Sequence, residues 1–392
     1  VKFAVTPLMS TYLLAFVVCD FERVTQQSTH ALSGLPLDVS VYMRPGQTSQ
    51  GSIALDQSVQ LIAFYEQWFA MDVPLAKMDL IAIPDFAAGA MENWGLITYR
   101  ETDLLLDPAA ASPSNMLRVT SVVAHELAHQ WFGDIVTMAW WSDLWLNEGF
   151  ASFMQYVSMG ALWPEYHYVD PILYLEDTKG ALRLDARTTS HPIFVEVANP
   201  LEINEIFDGI TYSKGCAIIR MLQQNLGEQI FQTGIRAYMK AHAYGNAATD
   251  DLWSSLQAAS GVNVKAMMDS WTLQMGFPVL SVSLTSARTL VAQQHRFLSS
   301  SNEVAQSSLA RTLPQLRSAD LTNYAYDVNV QYYVEGMAGI QDADTMLSSH
   351  TPAILSHIPV PLGAFVKLNA GQTGFYRVKY ASNLWNSLTA AI

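Results

Sequence analysis

His125 and His129 stand four positions apart in the stretch VVAHELAHQWFGD (122–134), and this spacing constrains the chain more than any other feature. In a helix, four positions at ~100° each advance a side chain by about 400°, so both imidazoles leave the same face one turn apart. Pro113 and Ser114 supply a helix start, Gly133 a stop, and Met116, Thr120, Val123, Leu127 and Trp131 form one stripe between them. The two histidines lie off that stripe, where their nitrogens can reach one metal ion about 2.0–2.1 Å away. Glu126, about 100° round from His125, can reach a water on that ion without being a ligand.

The bland alternative is two histidines on an ordinary buried helix, and a third ligand decides between the readings, because a catalytic zinc needs one. Glu148 supplies it from a second helical segment, SDLWLNEGFASFMQY, with Ser142 or Asp143 as N-cap and Gly160 as stop. Trp140, Trp141 and Trp145 before it and Phe150 after it make a buried, unpaired carboxylate costly, and a metal would compensate it. Those neighbours argue against a solvated surface carboxylate.

A length of 392 residues suggests roughly two or three domains. Half the residues are hydrophobic and 14% are charged, so the chain can bury large cores and gives no compositional case for disorder. A net charge of −14 without any basic run repels polyanions and excludes nucleic acid as a partner. Cys19 and Cys216 are too few for a disulfide framework or a thiolate zinc site. The apolar PLMSTYLLAFVV near the N-terminus is broken by Cys19, Asp20, Glu22 and Arg23 before the ~20 residues of a membrane span, and reads as a buried strand. From about 56 to 275 the apolar spacing is mostly helical: Leu61, Phe64, Tyr65, Trp68 and Phe69 follow Asp56, and Pro74 closes the segment. From 278 the texture changes to VLSVSL, TLVAQQHRFL, YDVNVQYYV, AFVKLNA and GFYRVKY, short β-rich runs of an all-β domain, read as a sandwich. SNLWNSLTAAI turns helical again at the end.

The order H-E-L-A-H, eighteen residues, then Glu148 in N-E-G-F-A, with G-A-M-E-N upstream at Gly89 to Asn93, resembles the gluzincin zinc aminopeptidases of the aminopeptidase N type. YLLAFVV, IPDFAAGAMENWGL, WWSDLWLNEGFAS, YSKG, WTLQMGFPV and GFYRVKY extend the likeness across almost the whole chain. The fold it implies is multidomain α+β: the last strand of an N-terminal β domain (1–20), a thermolysin-like, mainly helical zinc-peptidase domain (21–277), a β-sandwich (278–380) and the start of a C-terminal helical domain (381–392). It implies one zinc per chain on His125, His129 and Glu148, with Glu126 as general base.

The resemblance also gives Tyr212 of Y-S-K-G the role of oxyanion donor; on composition alone it would be one of 17 tyrosines. It makes Glu92 the anchor for a substrate's free α-ammonium, which a buried carboxylate can hold by ion pairing. Gly89 and Ala90 then leave room for a substrate backbone lying as an extra strand, Met91 lies near the first side-chain pocket, and Asn93 completes the motif. The family's amine-gripping Gln has no nameable equivalent here. The implied activity is removal of a neutral or apolar N-terminal residue from peptides. The alternatives are a silent scaffold and an epoxide hydrolase with aminopeptidase activity, whose branch carries a second Gly in place of Ala90. The likeness tilts the location toward the outer face of the plasma membrane through an anchor upstream, with the cytoplasm as alternative; a homodimer would use regions outside this chain.

Overall fold

In a computed structural model of the chain, residues 3–107, 109–164, 174–299, 324–356 and 359–391 are described. The helices are α1 (Ser52–Phe69), α2 (Pro113–Ala128), α3 (Trp145–Leu162), α4 (Tyr174–Asp185), α5 (Gly215–Leu226), α6 (Glu228–His242), α7 (Thr249–Ser260), α8 (Val264–Thr272) and α9 (Ser382–Ala390). The strands are β1 (Glu22–Thr29), β2 (Pro36–Met43), β3 (Lys77–Ile83), β4 (Ala90–Met91), β5 (Leu96–Arg100), β6 (Val136–Met138), β7 (Gly245–Ala247), β8 (Pro278–Leu284), β9 (Leu290–Arg296), β10 (Gln331–Val334), β11 (Gln341–Asp342), β12 (Ala353–Ser356), β13 (Val366–Leu368) and β14 (Arg377–Tyr380). This mixed α+β chain divides into two compact units, Val1–Tyr174 with Glu228–Val262, and Leu175–Gly227 with Asn263–Ile392. None of the helices among the described residues is long and apolar enough to cross a membrane.

In the first unit a five-stranded sheet runs in the order β1-β2-β3-β5-β4. Its centre is parallel, β2 to β3 and β3 to β5, and both edge strands are antiparallel to their neighbours. Alternation along β2 buries Leu37, Val39, Val41 and Met43, and α1 carries the chain from β2 over to the parallel β3. A left-handed Ala70 (φ 53°) ends α1, four residues short of the expected stop at Pro74. The Tyr65 hydroxyl of α1 donates to the Ala124 carbonyl of α2 at 2.8 Å and lies 2.8 Å from the Ser158 hydroxyl of α3, so one buried phenol ties three helices. Phe69 stacks on Trp131 and Phe132 on Phe150, with centroids 5.2 and 4.0 Å apart, which locks the end of the VVAHELAHQWFGD stretch into the core.

One expectation fails at the N-terminus. PLMSTYLLAFVV forms no strand; it is irregular apart from a 3₁₀ turn at Thr11–Leu13. Leu13 is buried, whereas Phe16 is 81% and Val18 95% exposed. Apolar composition can fill a strand, but a strand also needs a neighbour's ladder, and none of the described strands pairs with this segment.

The second unit holds α4, α5, α8 and two sheets, β11-β10-β13 and β12-β9-β8-β14. Each β-rich run read between 278 and 380 contains a strand, and α9 follows as expected. Its most consequential polar contact is buried: Lys214 Nζ lies 2.8 Å from Asp185 Oδ2, with both side chains at 0% exposure. Lys214 also donates to the Gly276 carbonyl at 3.1 Å, and Asp185 accepts from the Gly276 N–H (2.7 Å) and the Ser190 hydroxyl (2.6 Å). Burial pulls the Lys214 pKa down, against the opposing pull of Asp185. Removing one member of such a pair strands the other charge, so Lys214→Met should lower urea stability by about 3–5 kcal/mol, with much of the loss recovered in Lys214→Met/Asp185→Leu. A loss below about 1 kcal/mol in the single variant would refute this reading of the pair.

Candidate metal centre

Ser112 starts α2: its hydroxyl accepts from the Asn115 N–H at 3.2 Å, with Pro113 in the first turn. The helix ends at Ala128 rather than running to Gly133, and His129 is its C-cap, still in right-handed backbone geometry (φ −60°, ψ −23°). His125 and His129 therefore keep their one-turn stagger while the chain is already leaving the helix. Gly133 serves the turn that follows: its φ of 138° suits glycine, and an added Cβ would come 3.3 Å from His129 Nδ1.

Glu148 enters from the first turn of α3, where the helix dipole favours a carboxylate. The expected caps Ser142 and Asp143 are not used, because Leu144 is the N-cap. Asp143 Oδ1 instead accepts from the Thr249 N–H (3.2 Å) and hydroxyl (2.6 Å) of α7. The expected stop, Gly160, lies inside α3.

Three donor atoms converge. His125 Nε2 lies 3.2 Å from Glu148 Oε2, His129 Nε2 lies 3.3 Å from the same oxygen, and the two nitrogens are 3.1 Å apart. Tetrahedral coordination with bonds of about 2.0–2.1 Å gives ligand-to-ligand edges of about 3.3–3.4 Å, so the triangle fits a zinc-sized ion closely. His129 is 1% and Glu148 3% exposed. His129 Nδ1 faces the Phe132 carbonyl at 2.8 Å, so its N–H donates there and the Nε2 lone pair is left for the centre. Gln155 hydrogen-bonds His125, and its amide Nε2 in turn donates to Ser121 Oγ at 2.7 Å.

The electrostatics agree with a cation site. Burial opposes ionisation of Glu148, but the imidazoles outweigh it and hold its pKa at about 2. Burial likewise opposes charge on His129, yet Glu92 and Glu148 raise its pKa well above the usual imidazole range. Glu126 is pushed well above the carboxylate range by burial and then by the charges of Glu92 and Glu148, and its Oε2 has no hydrogen-bond partner among the described residues. Glu92 is raised by burial as well, and Glu92, Glu126 and His129 also bring ligating atoms within 4.8 Å of one another.

A second group of ligand type, His30, Glu66 and Asp72, is satisfied by protein. His30 sits between Glu66 Oε1 (2.6 Å) and the Leu75 carbonyl (3.0 Å), and both carboxylates accept backbone N–H groups, from Ala31 and Val73 and from Leu32 and Ser33. It is a structural staple.

The G-A-M-E-N residues lie where β3 has turned through Asp85 (φ 55°) into β4, the edge strand of the sheet. Ala90 and Met91 pair with Tyr99 and Thr98 of β5, and Glu92 and Asn93 follow, both buried. Gly89 makes room within the protein itself. A Cβ there would come 3.1 Å from Asp103 and 3.3 Å from Arg118, which form an ion pair, so its missing side chain makes room for that pair. Asn93 accepts from Thr98 Oγ1 at 2.8 Å and donates to the Leu13 carbonyl at 3.3 Å, so it pins loops together.

A model of the peptidase family M1 domain matches residues 53–271. The chain belongs to peptidase family M1. Among its relatives are a puromycin-sensitive aminopeptidase of Caenorhabditis elegans, 44% identical over 99% of this chain and 39% of the relative, and aminopeptidase M1 of Arabidopsis thaliana, 43% identical over 98% and 42%. A human glutamyl aminopeptidase is 42% identical over 98% of this chain and 38% of its own length. This M1 chain thus spans about two fifths of the length of the curated relatives it matches.

In this M1 chain the first unit brings His125, His129 and Glu148 together, and Glu92 and Glu126 with His129. Tyr212 lies in the second unit, on a π-helical turn, Ile210–Lys214. Two residues escaped the sequence. Asp134 is 1% exposed and interacts electrostatically with Glu92, Glu126 and His129; its signal was a lone carboxylate in an apolar stretch. Tyr12 packs its ring on Trp141 and accepts from Asn147 Nδ2 at 3.1 Å, beside Glu148, and no local pattern marks it.

Proposed function

We propose that this chain carries the catalytic centre of a zinc-dependent aminopeptidase that removes neutral or apolar N-terminal residues from peptides. The observation that carries the reading is the convergence of three lone-pair atoms at 3.1–3.3 Å, with the buried Glu126 and Glu92 beside them. One zinc ion would be held by His125, His129 and Glu148. The chemistry it supplies when bound is polarisation of the scissile carbonyl and acidification of a water. Glu126 Oε2 takes the proton from the attacking water and passes it to the departing amine, a role suited to a carboxylate whose affinity for protons is raised. Tyr212 donates to the oxyanion.

Glu92 binds the substrate's α-ammonium, and the edge of β4 receives the substrate backbone as a further strand. The architecture we assign is a thermolysin-like domain over 21–277 followed by a β-sandwich over 278–380. The names of the relatives and the complete donor set support an enzyme rather than a silent scaffold. The test is release of fluorophore from alanyl, leucyl and glutamyl amides by the zinc-loaded chain, with and without chelator. Soluble, folded, zinc-loaded protein that cleaves none of them overturns the proposal.

Glu92→Ala should lower kcat/KM on free-amine amides about 100-fold, the scale of a lost charge-assisted contact, and leave N-blocked peptides at their wild-type rate. An equal loss on both would remove the anchoring role.

A further inference from the structure

Tyr212, the oxyanion donor of the proposed reaction, sits on the π-helical turn Ile210–Lys214, a rare geometry that functional sites favour. The turn closes where the Lys214 N–H donates to the Gly209 carbonyl, five residues back, at 3.1 Å. Its opening amides have no earlier turn to bond, and Asp208 takes three of them in succession. Asp208 Oδ1 accepts from the Ile210 N–H (2.9 Å) and the Thr211 N–H (3.2 Å), and the Asp208 carbonyl accepts from the N–H of Tyr212 itself at 3.1 Å. The ring of the preceding Phe207 lies 6.5 Å from the Tyr212 ring, centroid to centroid.

The second oxygen of Asp208 is held as well. Asp208 Oδ2 lies 2.9 Å from His191 Nε2, and His191 Nδ1 lies 2.6 Å from the Pro192 carbonyl. Neither oxygen has a proton to give, and a neutral imidazole has one N–H, so only the imidazolium donates to both. Its protonation agrees with this geometry. Burial opposes charge on His191, but the bonds to Asp208 and to the Pro192 carbonyl outweigh it and raise its pKa, against the opposing charge of Lys214. Burial likewise opposes ionisation of Asp208, and the contact with His191 and the two amides outweighs it and holds the carboxyl below its usual range.

We infer that His191 and Asp208 are a positioning pair: the imidazolium holds the carboxylate, and the carboxylate fastens the π-helical turn that carries Tyr212. The inference rests on the oxyanion role proposed for Tyr212. In the zinc-loaded full chain Asp208→Ala should lower kcat for a leucyl amide about tenfold, a fraction of the roughly 10²–10³-fold loss of an oxyanion donor, with KM changed less than about twofold. Asp208→Asn keeps an acceptor for the two amides and should return kcat to within about threefold of wild type. In a Tyr212→Phe background Asp208→Ala should cause no further loss. His191→Gln supplies the pH signature. The advantage of wild type over this variant, about threefold in kcat, should be complete at low pH and vanish as pH rises through the raised pKa of His191, where the second N–H is lost. If Asp208→Ala does not fold, this profile decides. Hydrogen exchange at the amides of residues 210–212 needs no turnover, and protection there should fall about tenfold in Asp208→Ala. Unchanged protection, an equal loss of kcat in the Tyr212→Phe background, or a ratio of wild type to His191→Gln that is constant with pH overturns the inference. A wild-type chain inactive on every amide, whose protection still depends on Asp208, overturns the enzymatic reading and leaves the fastening of the turn standing.

Discussion

Glu126→Gln should retain zinc at wild-type stoichiometry while kcat falls about 10²–10⁴-fold, the usual worth of a positioned general base. The exchange is isosteric, and the amide that replaces the carboxylate cannot accept a proton. The surroundings add a second expectation. Glu126 is 6% exposed, and the charges of Glu92 and Glu148 act against its own. Removing that charge should therefore raise the melting temperature as activity disappears, the usual opposition between a strained catalytic group and stability. Metal analysis, steady-state rates and calorimetry on one preparation test all three parts. Loss of zinc would make Glu126 a ligand instead, and unchanged kcat would end its role as base.

Glu148→Gln should weaken zinc binding by at least about 100-fold, because even partners that only orient a ligand are worth 10–100-fold. The carboxylate is the one anionic donor of the triangle, and its Oε2 faces both imidazoles at 3.2 and 3.3 Å. In the wild type, zinc at about 1,000 times its Kd should stabilise the fold by about 4 kcal/mol, and this zinc-dependent shift in melting should vanish in the variant. Competition with a chromophoric chelator gives the affinity directly. A variant that holds zinc as tightly as wild type would remove Glu148 from the donor set.

How far the sequence could be read follows from the range of the forces involved. His125 and His129 were legible because a helix fixes their relation within one turn, and Glu148 because an acid among tryptophans needs a partner. Strands β8, β9, β10, β13 and β14 were legible from their β-rich runs between turn residues, whereas the short β11 and β12 lie outside those runs. The five-stranded sheet of the first unit was not: β1 reads ERVTQQST, with mostly polar residues and little burial, and gives no apolar alternation. Asp143 looked like a cap because caps are local, but its partner, Thr249, lies 106 residues away. The apolar PLMSTYLLAFVV could not reveal whether a neighbour existed to pair with it. Tyr12 was invisible for a related reason, since its partners, Trp141 and Asn147, are brought to it only by the folded chain.

The hydrogen bond from His129 Nδ1 to the Phe132 carbonyl sets which imidazole nitrogen faces the centre, and the acceptor is main chain. No exchange of side chain at position 132 can delete that oxygen. A point mutation can reach the tautomer only by moving the backbone between Ala128 and Val136, which the stacked rings of Trp131 and Phe132 resist. The protonation pattern of one ligand is thus encoded in chain geometry and sheltered from single-residue drift, whereas the Gln155 contact of His125 can be lost in one substitution. Variation in this lineage should accumulate on the His125 side of the centre.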